Sequence, residues 1–390
     1  MTYLRSVRVR NFKAVRDSGL LKLGALTVFI GNNGAGKSSL IEALETYQRI
    51  VLEGVDAALG RFNGFEHARY KGVRVRGRKQ AIADPAKQPN PINIYFRIAM
   101  PGQPHQSIRM QVNQRDPNRQ YIQAERVSQQ AGLSTIRDFR GAGRTYGEGR
   151  SIVNPLGETR PLYESVERWQ FIALQPDVMG IARPQRRTSG RAVLDRDGSN
   201  LGGYVLDLFE RAPQAFEGIV EAMQSVLPYA LDFRPVMPSQ DIDRRVYLEL
   251  AERTFRVPSW LFSGGTLRLL AVLCMLRDPE PPPLLFIEEI ENGLDPRTIG
   301  MLVEEIRMAI TSGHTQVIAT THSPYLLDQL LFEHVVVVER NAAGEPEFWR
   351  PEDEASLAAW SKDFSLGQIY TMGQLRRAPK RSAKKRGRAK

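Results

Sequence analysis

Short runs that are apolar at almost every position stand at Leu26 to Ile30, Leu284 to Ile287 and Val317 to Thr320. Each gives way to a polar or glycine-rich loop and then to an amphipathic segment. That rhythm predicts strands buried on both faces of a parallel sheet, with helices between them and working loops at the strand C-terminal ends. Helices are predicted over Ser39 to Leu52, from Ser263 to Leu276, from Pro296 and from Pro324. Ser263 and Ser323 stand at N-cap positions, Pro296 falls in a first turn, and Leu267, Leu270, Ala271 and Cys274 share one face.

Elsewhere the apolar positions alternate. Tyr3 to Asn11 sets Leu4, Ser6 or Val7, and Val9 against arginines, which predicts an edge or meander strand, and Leu20 to Leu23 predicts a second short one. Ile92 to Met100, Ser107 to Val112 and Gln120 to Val127 predict a small antiparallel meander, with turns at Pro101-Gly102 and Asp116-Pro117-Asn118. Gly54 to Pro91 predicts loops and a short helix, and 131–160 is glycine-rich. Apolar character returns at Trp169 to Pro176, ahead of a basic loop, Arg183 to Arg191. Asp197-Gly198-Ser199-Asn200 predicts a turn and a cap before helices at Leu201 to Arg211 and Pro213 to Val226; strands follow at Tyr229 to Phe233 and Val246 to Leu250. The expected division is 1–55 and 256–375 as the two parts of one α/β domain, 56–255 as an inserted lobe with β-meander and helices, and 376–390 as a tail. The α/β domain is expected to hold a mixed sheet with helices on both faces, an N-terminal antiparallel β subdomain and the inserted α+β lobe.

Length and composition agree with more than one core. With 390 residues, 42% of them hydrophobic, the chain exceeds what a single core usually holds. The longest apolar run, Leu269 to Leu276, is far shorter than a bilayer span, and Met1 to Arg10 has no signal-peptide core, so a soluble, cytoplasmic protein without a membrane partner is expected. The single cysteine, Cys274, excludes an internal disulfide or a cysteine zinc cluster and reads as a core thiol. Nine of the eleven excess positive charges fall in residues 376–390, a disordered tail able to contact phosphate backbones; the body is close to neutral. A second basic cluster comprises Arg69, Lys71, Arg74, Arg76, Arg78 and Lys79.

The candidate chemistry begins at Gly31-Asn32-Asn33-Gly34-Ala35-Gly36-Lys37-Ser38, which fits GxxxxGK[ST] between a strand and a helix continuing through Ser39. Glycines there let successive amides converge on phosphate oxygens at a helix N-terminus; Lys37 would neutralise the β and γ phosphates, and Ser38 would place a hydroxyl on Mg2+. Glu288 and Glu289 end the apolar run of 284–287. That is the Walker B arrangement, the first carboxylate holding Mg2+ and the second acting as general base on water. ATP and Mg2+ are therefore the expected ligands.

Ser263-Gly264-Gly265 resembles the signature of ABC ATPases, whose serine and glycines contact the γ-phosphate bound by the opposite subunit. Asn292 to Asp295 looks like the D-loop and His322 like the switch histidine; Gln175, with Gln170 as the alternative, stands for the Q-loop glutamine, another metal contact. Residues 4–15, 169–176, 197–201, 263–270, 284–296, 318–324 and 365–370 together resemble the SMC/RecF-like branch, the predicted AAA-family ATPases of the OLD and RecF-like group. Glu288 stands where many ABC proteins have Asp. About 225 residues between Lys37 and Ser263 leave no room for long coiled-coil arms, and the 68 after His322 none for a TOPRIM domain. The resemblance implies an ABC-type P-loop ATPase working as a homodimer or larger assembly. It further implies an ATP-driven switch acting on DNA, through the tail and the inserted lobe, or on a separately encoded effector, as in phage defence or DNA maintenance. The alternative is a nucleotide-gated scaffold that restrains a toxin or nuclease with little hydrolysis.

Overall fold

The computed structural model of the chain describes residues 2–72, 90–116, 119–129, 135–140, 149–185, 190–238, 243–354, 357, 360 and 363–377. In chain order the strands are β1 (Tyr3–Phe12), β2 (Val15–Asp17), β3 (Leu21–Lys22), β4 (Leu26–Ile30), β5 (Ile92–Ala99), β6 (Gln106–Asp116), β7 (Arg119–Gln129), β8 (Thr135–Arg140), β9 (Gln170–Ile172), β10 (Arg183–Pro184), β11 (Asp232–Val236), β12 (Arg245–Ala251), β13 (Arg256–Pro258), β14 (Leu284–Ile287), β15 (Gln316–Thr321), β16 (Val335–Arg340) and β17 (Pro346–Trp349). The helices are α1 (Lys37–Leu52), α2 (Val55–Gly60), α3 (Phe65–Ala68), α4 (Arg160–Glu167), α5 (Pro176–Met179), α6 (Leu201–Arg211), α7 (Pro213–Val226), α8 (Gly264–Leu276), α9 (Pro296–Thr311), α10 (Pro324–Asp328) and α11 (Leu366–Thr371).

The site is built on a six-stranded sheet in the order β17-β16-β4-β15-β14-β9. Every pairing in it is parallel except β16 with β17. Alternate residues of these strands feed two cores. Phe29, Phe286, Ile318 and Val336 pack with α1 and the inner face of the N-terminal sheet. Val28, Ile30, Leu285, Ile287 and Ala319 pack with α6, α7, α8 and α9. Because both faces are covered, β4 and β14 are buried along their whole length, which is why they read as runs apolar at every position but Thr27. The α6–α7 region is fastened to this layer by buried ions. Arg211 of α6 grips the fully buried Asp278 carboxylate with two bonds of 2.8 and 3.2 Å, joined there by Arg191, and Arg277, paired with Glu305 of α9 at 2.6 and 2.7 Å, donates to Gly218 O of α7 at 2.6 Å.

Strand pairing relocates the meander. Instead of belonging to an inserted lobe, β5 pairs antiparallel with β1, and β6, β7 and β8 extend the same sheet in the order β2-β1-β5-β6-β7-β8. The cause is the inward row Ile92, Ile94, Phe96 and Ile98, which covers α1 beside Val7 and Val9. β8 lies in the stretch read only as glycine-rich. β9, also numbered within the expected insertion, is an edge strand of the central sheet, whereas β10–β13 form a separate small sheet beside α6 and α7. Among the described residues two short helices, not one, follow α1, and the strand expected at Tyr229 to Phe233 runs three residues later. Asn200 precedes α6 without capping it: its carboxamide accepts from Asp195 N and donates to Val193 O, bracing the preceding loop. Local side-chain bonding to a loop competes with capping for the same carboxamide. Pro117 and Asn118 of the second expected turn, Arg74, Arg76, Arg78 and Lys79 of the basic cluster, and 378–390 of the tail lie outside the described residues; Arg69 is paired with Glu66 at 2.7 Å.

One buried acid makes this fold pH-sensitive. Glu125 points inward from β7, fully buried, and accepts from Ser151 Oγ at 2.7 Å and Ile152 N at 2.8 Å. Burial pushes its carboxyl up to about 7 from 4.5, against those two bonds. The folded protein thus keeps a proton that the unfolded chain has released, so stability falls as pH rises from 4.5 through 7, a loss of about 3 kcal/mol in full. Thermal melts across pH 5 to 8 are expected to show this decline in the wild type and a flatter profile in Glu125→Gln; equal slopes in the two proteins would remove Glu125 as its source.

Candidate functional site

The strand ends of β4, β14 and β15 and the start of α1 meet at one edge of the central sheet. Gly31 follows β4 where a Cβ would lie 2.0 Å from the carbonyl oxygen of Val338, so only glycine passes β16 there. Gly36 closes the loop at φ +108, and no side chain caps α1 after it. By contrast, Ser263, Asp295 and Ser323 cap α8, α9 and α10 with their own oxygens. The first amides of α1 are thus left for an anionic ligand. Lys37 is 6% exposed, and its Nζ donates to the carbonyls of Gly31 at 2.6 Å and Asn32 at 3.1 Å. Burial lowers its pKa, with Glu289 and Glu291 opposing. Ala35 N closes the turn on Asn32 O at 3.1 Å, and Asn33 is exposed at the loop's tip. Arg340 fastens this tip: its guanidinium donates twice to Gly34 O, at 2.6 and 3.0 Å.

Opposite the loop, Ser38 lies beside the Glu288 carboxylate and favours its charged form. Glu288 has its pKa raised by burial, against Ser38 and Arg196. Glu289 stands at φ +50, a costly conformation for a residue with a side chain; its amide donates to Thr320 Oγ1 at 2.9 Å, and Asn292 Nδ2 donates to its carboxylate at 3.2 Å. The His322 amide donates to Glu291 at 2.6 Å. Burial, then Lys37, lowers the pKa of the imidazole, which keeps it neutral at neutral pH. Lys37, Ser38, Glu288, Glu289 and His322 are therefore gathered by the fold, Ser39 being buried one residue further into α1.

Ser263, Gly264 and Gly265 make none of these contacts. Ser263 accepts from Thr266 N at 3.1 Å, a Cβ on Gly264 would press on Pro176 at 3.1 Å, and one on Gly265 would lie 2.3 Å from Gly293 O. Both signature glycines thus have a packing reason within the chain. Asp295 accepts from Arg297 N and Thr298 N as the cap of α9. Gln175 is exposed, with its backbone amide bonded to Asp197 O; Gln170 is committed to Leu194 O at 2.6 Å. The side chain from this region that does reach Glu288 is Arg196.

Sequence reasoning missed four residues. Glu291 is the third acid of Glu-Glu-Ile-Glu and could have been found by that clustering. Arg196 flanks the Asp197 turn, and Arg268 of α8 donates to Asn292 O and Leu174 O at 2.7 and 3.0 Å. Arg340 merely ends a strand.

The donor set suits the implied ligands. Among the described residues no group of three acidic, histidine or cysteine side chains could hold a metal ion. A hydroxyl and one carboxylate suit Mg2+, which keeps waters and phosphate oxygens for its other positions. The uncapped amides of α1 and the buried lysine suit a triphosphate.

Residues 158–328 match the family described as "AAA domain, putative AbiEii toxin, Type IV TA system", and residues 3–48 match "AAA ATPase domain". Comparison with curated proteins finds no match. Among solved structures, the fold is similar to the SmcHead bound to the C-winged helix domain of ScpA, at TM-score 0.55 and 14% identity over 90% of this chain and 98% of that one. It is equally similar to the Smc head domain with an extended coiled coil bound to the C-terminal domain of ScpA derived from Pyrococcus furiosus, at TM-score 0.55 and 12% identity over 93% and 99%. At such identities the likeness is one of fold. No helix among the described residues is long and apolar enough to cross a membrane.

Proposed function

Taking this chain as an SMC/RecF-like ABC-type ATPase, we propose that it binds and hydrolyses ATP and that two copies close over two nucleotides to form a switch. The observation that carries the reading is the convergence of uncapped α1 amides, Lys37, Ser38, Glu288 and Glu289 on one sheet edge. The amides of Gly34, Gly36, Lys37 and Ser38 and the ammonium of Lys37 hold the phosphates. Glu289 takes a proton from water as that water attacks the γ-phosphorus, the bond from γ-phosphorus to the bridging oxygen breaks, and ADP and phosphate leave. Ser38 and Glu288 would hold Mg2+, with Gln175 as the further contact that the resemblance implies, and the ion would supply charge neutralisation at the phosphate oxygens. Neutral His322 donates a hydrogen bond to the γ-phosphate. Ser263, Gly264 and Gly265 of one copy, with Asp295 nearby, complete the pocket of the other.

Duplex DNA is the partner class best matched by the outer face of the N-terminal sheet. Strand register sets Arg8, Tyr95, Arg109 and Arg126 in one row across four strands, with Arg10 and Arg97 in neighbouring rows. Arg109 lies over the Tyr95 ring, and Arg97 donates to its hydroxyl at 2.8 Å. Asp17 offsets Arg8 and Arg10, and Arg126 has an interaction of its own, so Arg97 and Arg109 are the charges this face would turn to a phosphate backbone. A separately encoded effector in phage defence is the second output; the toxin-system family matched over 158–328 supports it.

Steady-state phosphate release and light scattering, each with Mg-ATP and with or without duplex DNA, test the switch. Turnover accompanied by a nucleotide-dependent rise to dimer mass, both altered by DNA, is expected. Mass independent of nucleotide would overturn the clamp, and absent phosphate release would overturn the hydrolysis.

A further inference from the structure

Glu288 has a second partner besides Ser38. The guanidinium of Arg196 bonds its carboxylate, and Arg196 Nε lies 3.4 Å from Glu45 of α1. Glu45 is itself buried and held by Arg61 at 2.5 Å. The Arg196 side chain is 39% exposed and that of Glu288 17%, so the pair is only partly shielded from water, and the carboxylate at its inner end is steadied by a counter-charge. Glu288 can take that counter-charge from a guanidinium or from a divalent cation, but two cations on one carboxylate repel at short range. The arginine's present fit is incomplete: its Nε and the Glu45 Oε2 are buried atoms without a hydrogen bond. The segment bearing Arg196 is also tied to its neighbours. The carbonyls of Arg196 and Asp197 accept from the amides of Ala173 and Gln175 at 2.8 and 2.9 Å, and the turn runs on through Asn200 into α6.

We propose that Arg196 is a positioning residue that competes with Mg2+ for Glu288, so that metal loading with nucleotide releases the arginine and shifts the 194–200 turn, the 173–175 segment and α6. The inference rests on the reading that Ser38 and Glu288 hold the metal. Arg196 thereby sets how much Mg2+ the site requires and carries news of metal binding away from the phosphates.

The experiment is a Mg2+ titration of full-length protein with a fluorescent ATP analogue, read as binding. In Arg196→Gln the half-saturating Mg2+ concentration is expected to fall roughly tenfold through loss of a charge-assisted bond that Mg2+ must otherwise break, while analogue affinity in EDTA stays within about twofold of wild type. An unchanged or raised Mg2+ requirement overturns the competition, and so does a collapse of affinity in EDTA, which would make Arg196 a phosphate contact. Glu288→Gln separates this from the underlying reading: if that variant keeps the wild-type Mg2+ dependence, Glu288 does not hold the metal and both fall. Hydrogen exchange on wild-type protein needs no variant to fold. Faster exchange at the Ala173 and Gln175 amides in Mg-ATP than in ATP with EDTA is expected, and equal rates would overturn the coupling.

Discussion

Replacing Glu289 by glutamine is expected to lower steady-state phosphate release by about 10²- to 10⁴-fold, the usual contribution of a positioned general base, while ATP still binds and the closed dimer persists. The expectation follows from where the residue stands. Glu289 follows the end of β14 by two residues and stands at φ +50, which costs on the order of 1 kcal/mol or more for a residue with a side chain. The bond from its amide to Thr320 Oγ1 ties that conformation to the neighbouring strand. Glutamine keeps the shape and an oxygen for Asn292, but it cannot take a proton from water. Gel filtration with light scattering, after mixing with ATP, should find the variant as a long-lived dimer where the wild type cycles. Unchanged turnover would remove Glu289 as the base and turn attention to Glu291, whose Oε2 is buried without a hydrogen bond while its Oε1 holds the His322 amide. Glu291→Gln is therefore the paired control, and a loss much smaller than in Glu289→Gln is expected from it.

The parts of this site that could be read from the chain are those whose chemistry is local. β4, the P-loop and the caps of α8, α9 and α10 are each decided within a few residues: an apolar run, glycines, and a serine or aspartate ahead of a proline or helix former. Period-two alternation likewise identified most strands of the N-terminal sheet. It could not say that β5 pairs with β1 about 90 residues away, because alternation marks which face is buried and is silent about the neighbour. Arg196 and Arg340 were invisible for the same reason. A charged residue at a loop or strand end reads as solvated until the fold brings Glu288 or Gly34 to it. The signature glycines teach the opposite lesson. The resemblance assigns them to the γ-phosphate of another subunit, yet Pro176 and the Gly293 carbonyl already require their small size within the same chain.

Since packing accounts for Gly264 and Gly265, the claim of a shared pocket depends on Ser263, and mixing two inactive variants tests it. Ser263→Asp keeps an N-cap oxygen for the Thr266 amide, so α8 should hold. It places a carboxylate where the proposal puts a phosphate, and the repulsion should abolish turnover. Lys37→Ala removes the ammonium from the P-loop and should do the same while leaving its Ser263 intact. An equimolar mixture forms heterodimers in which the Ser263→Asp chain offers a sound P-loop to the Lys37→Ala chain's sound serine. With random pairing in a two-fold dimer, half the dimers carry one working pocket, so phosphate release should recover to about a quarter of wild type. If Ser263 served the nucleotide of its own chain, each chain would carry its own defect and mixing would restore nothing. Full activity of Ser263→Asp alone would place the serine outside the phosphate site altogether.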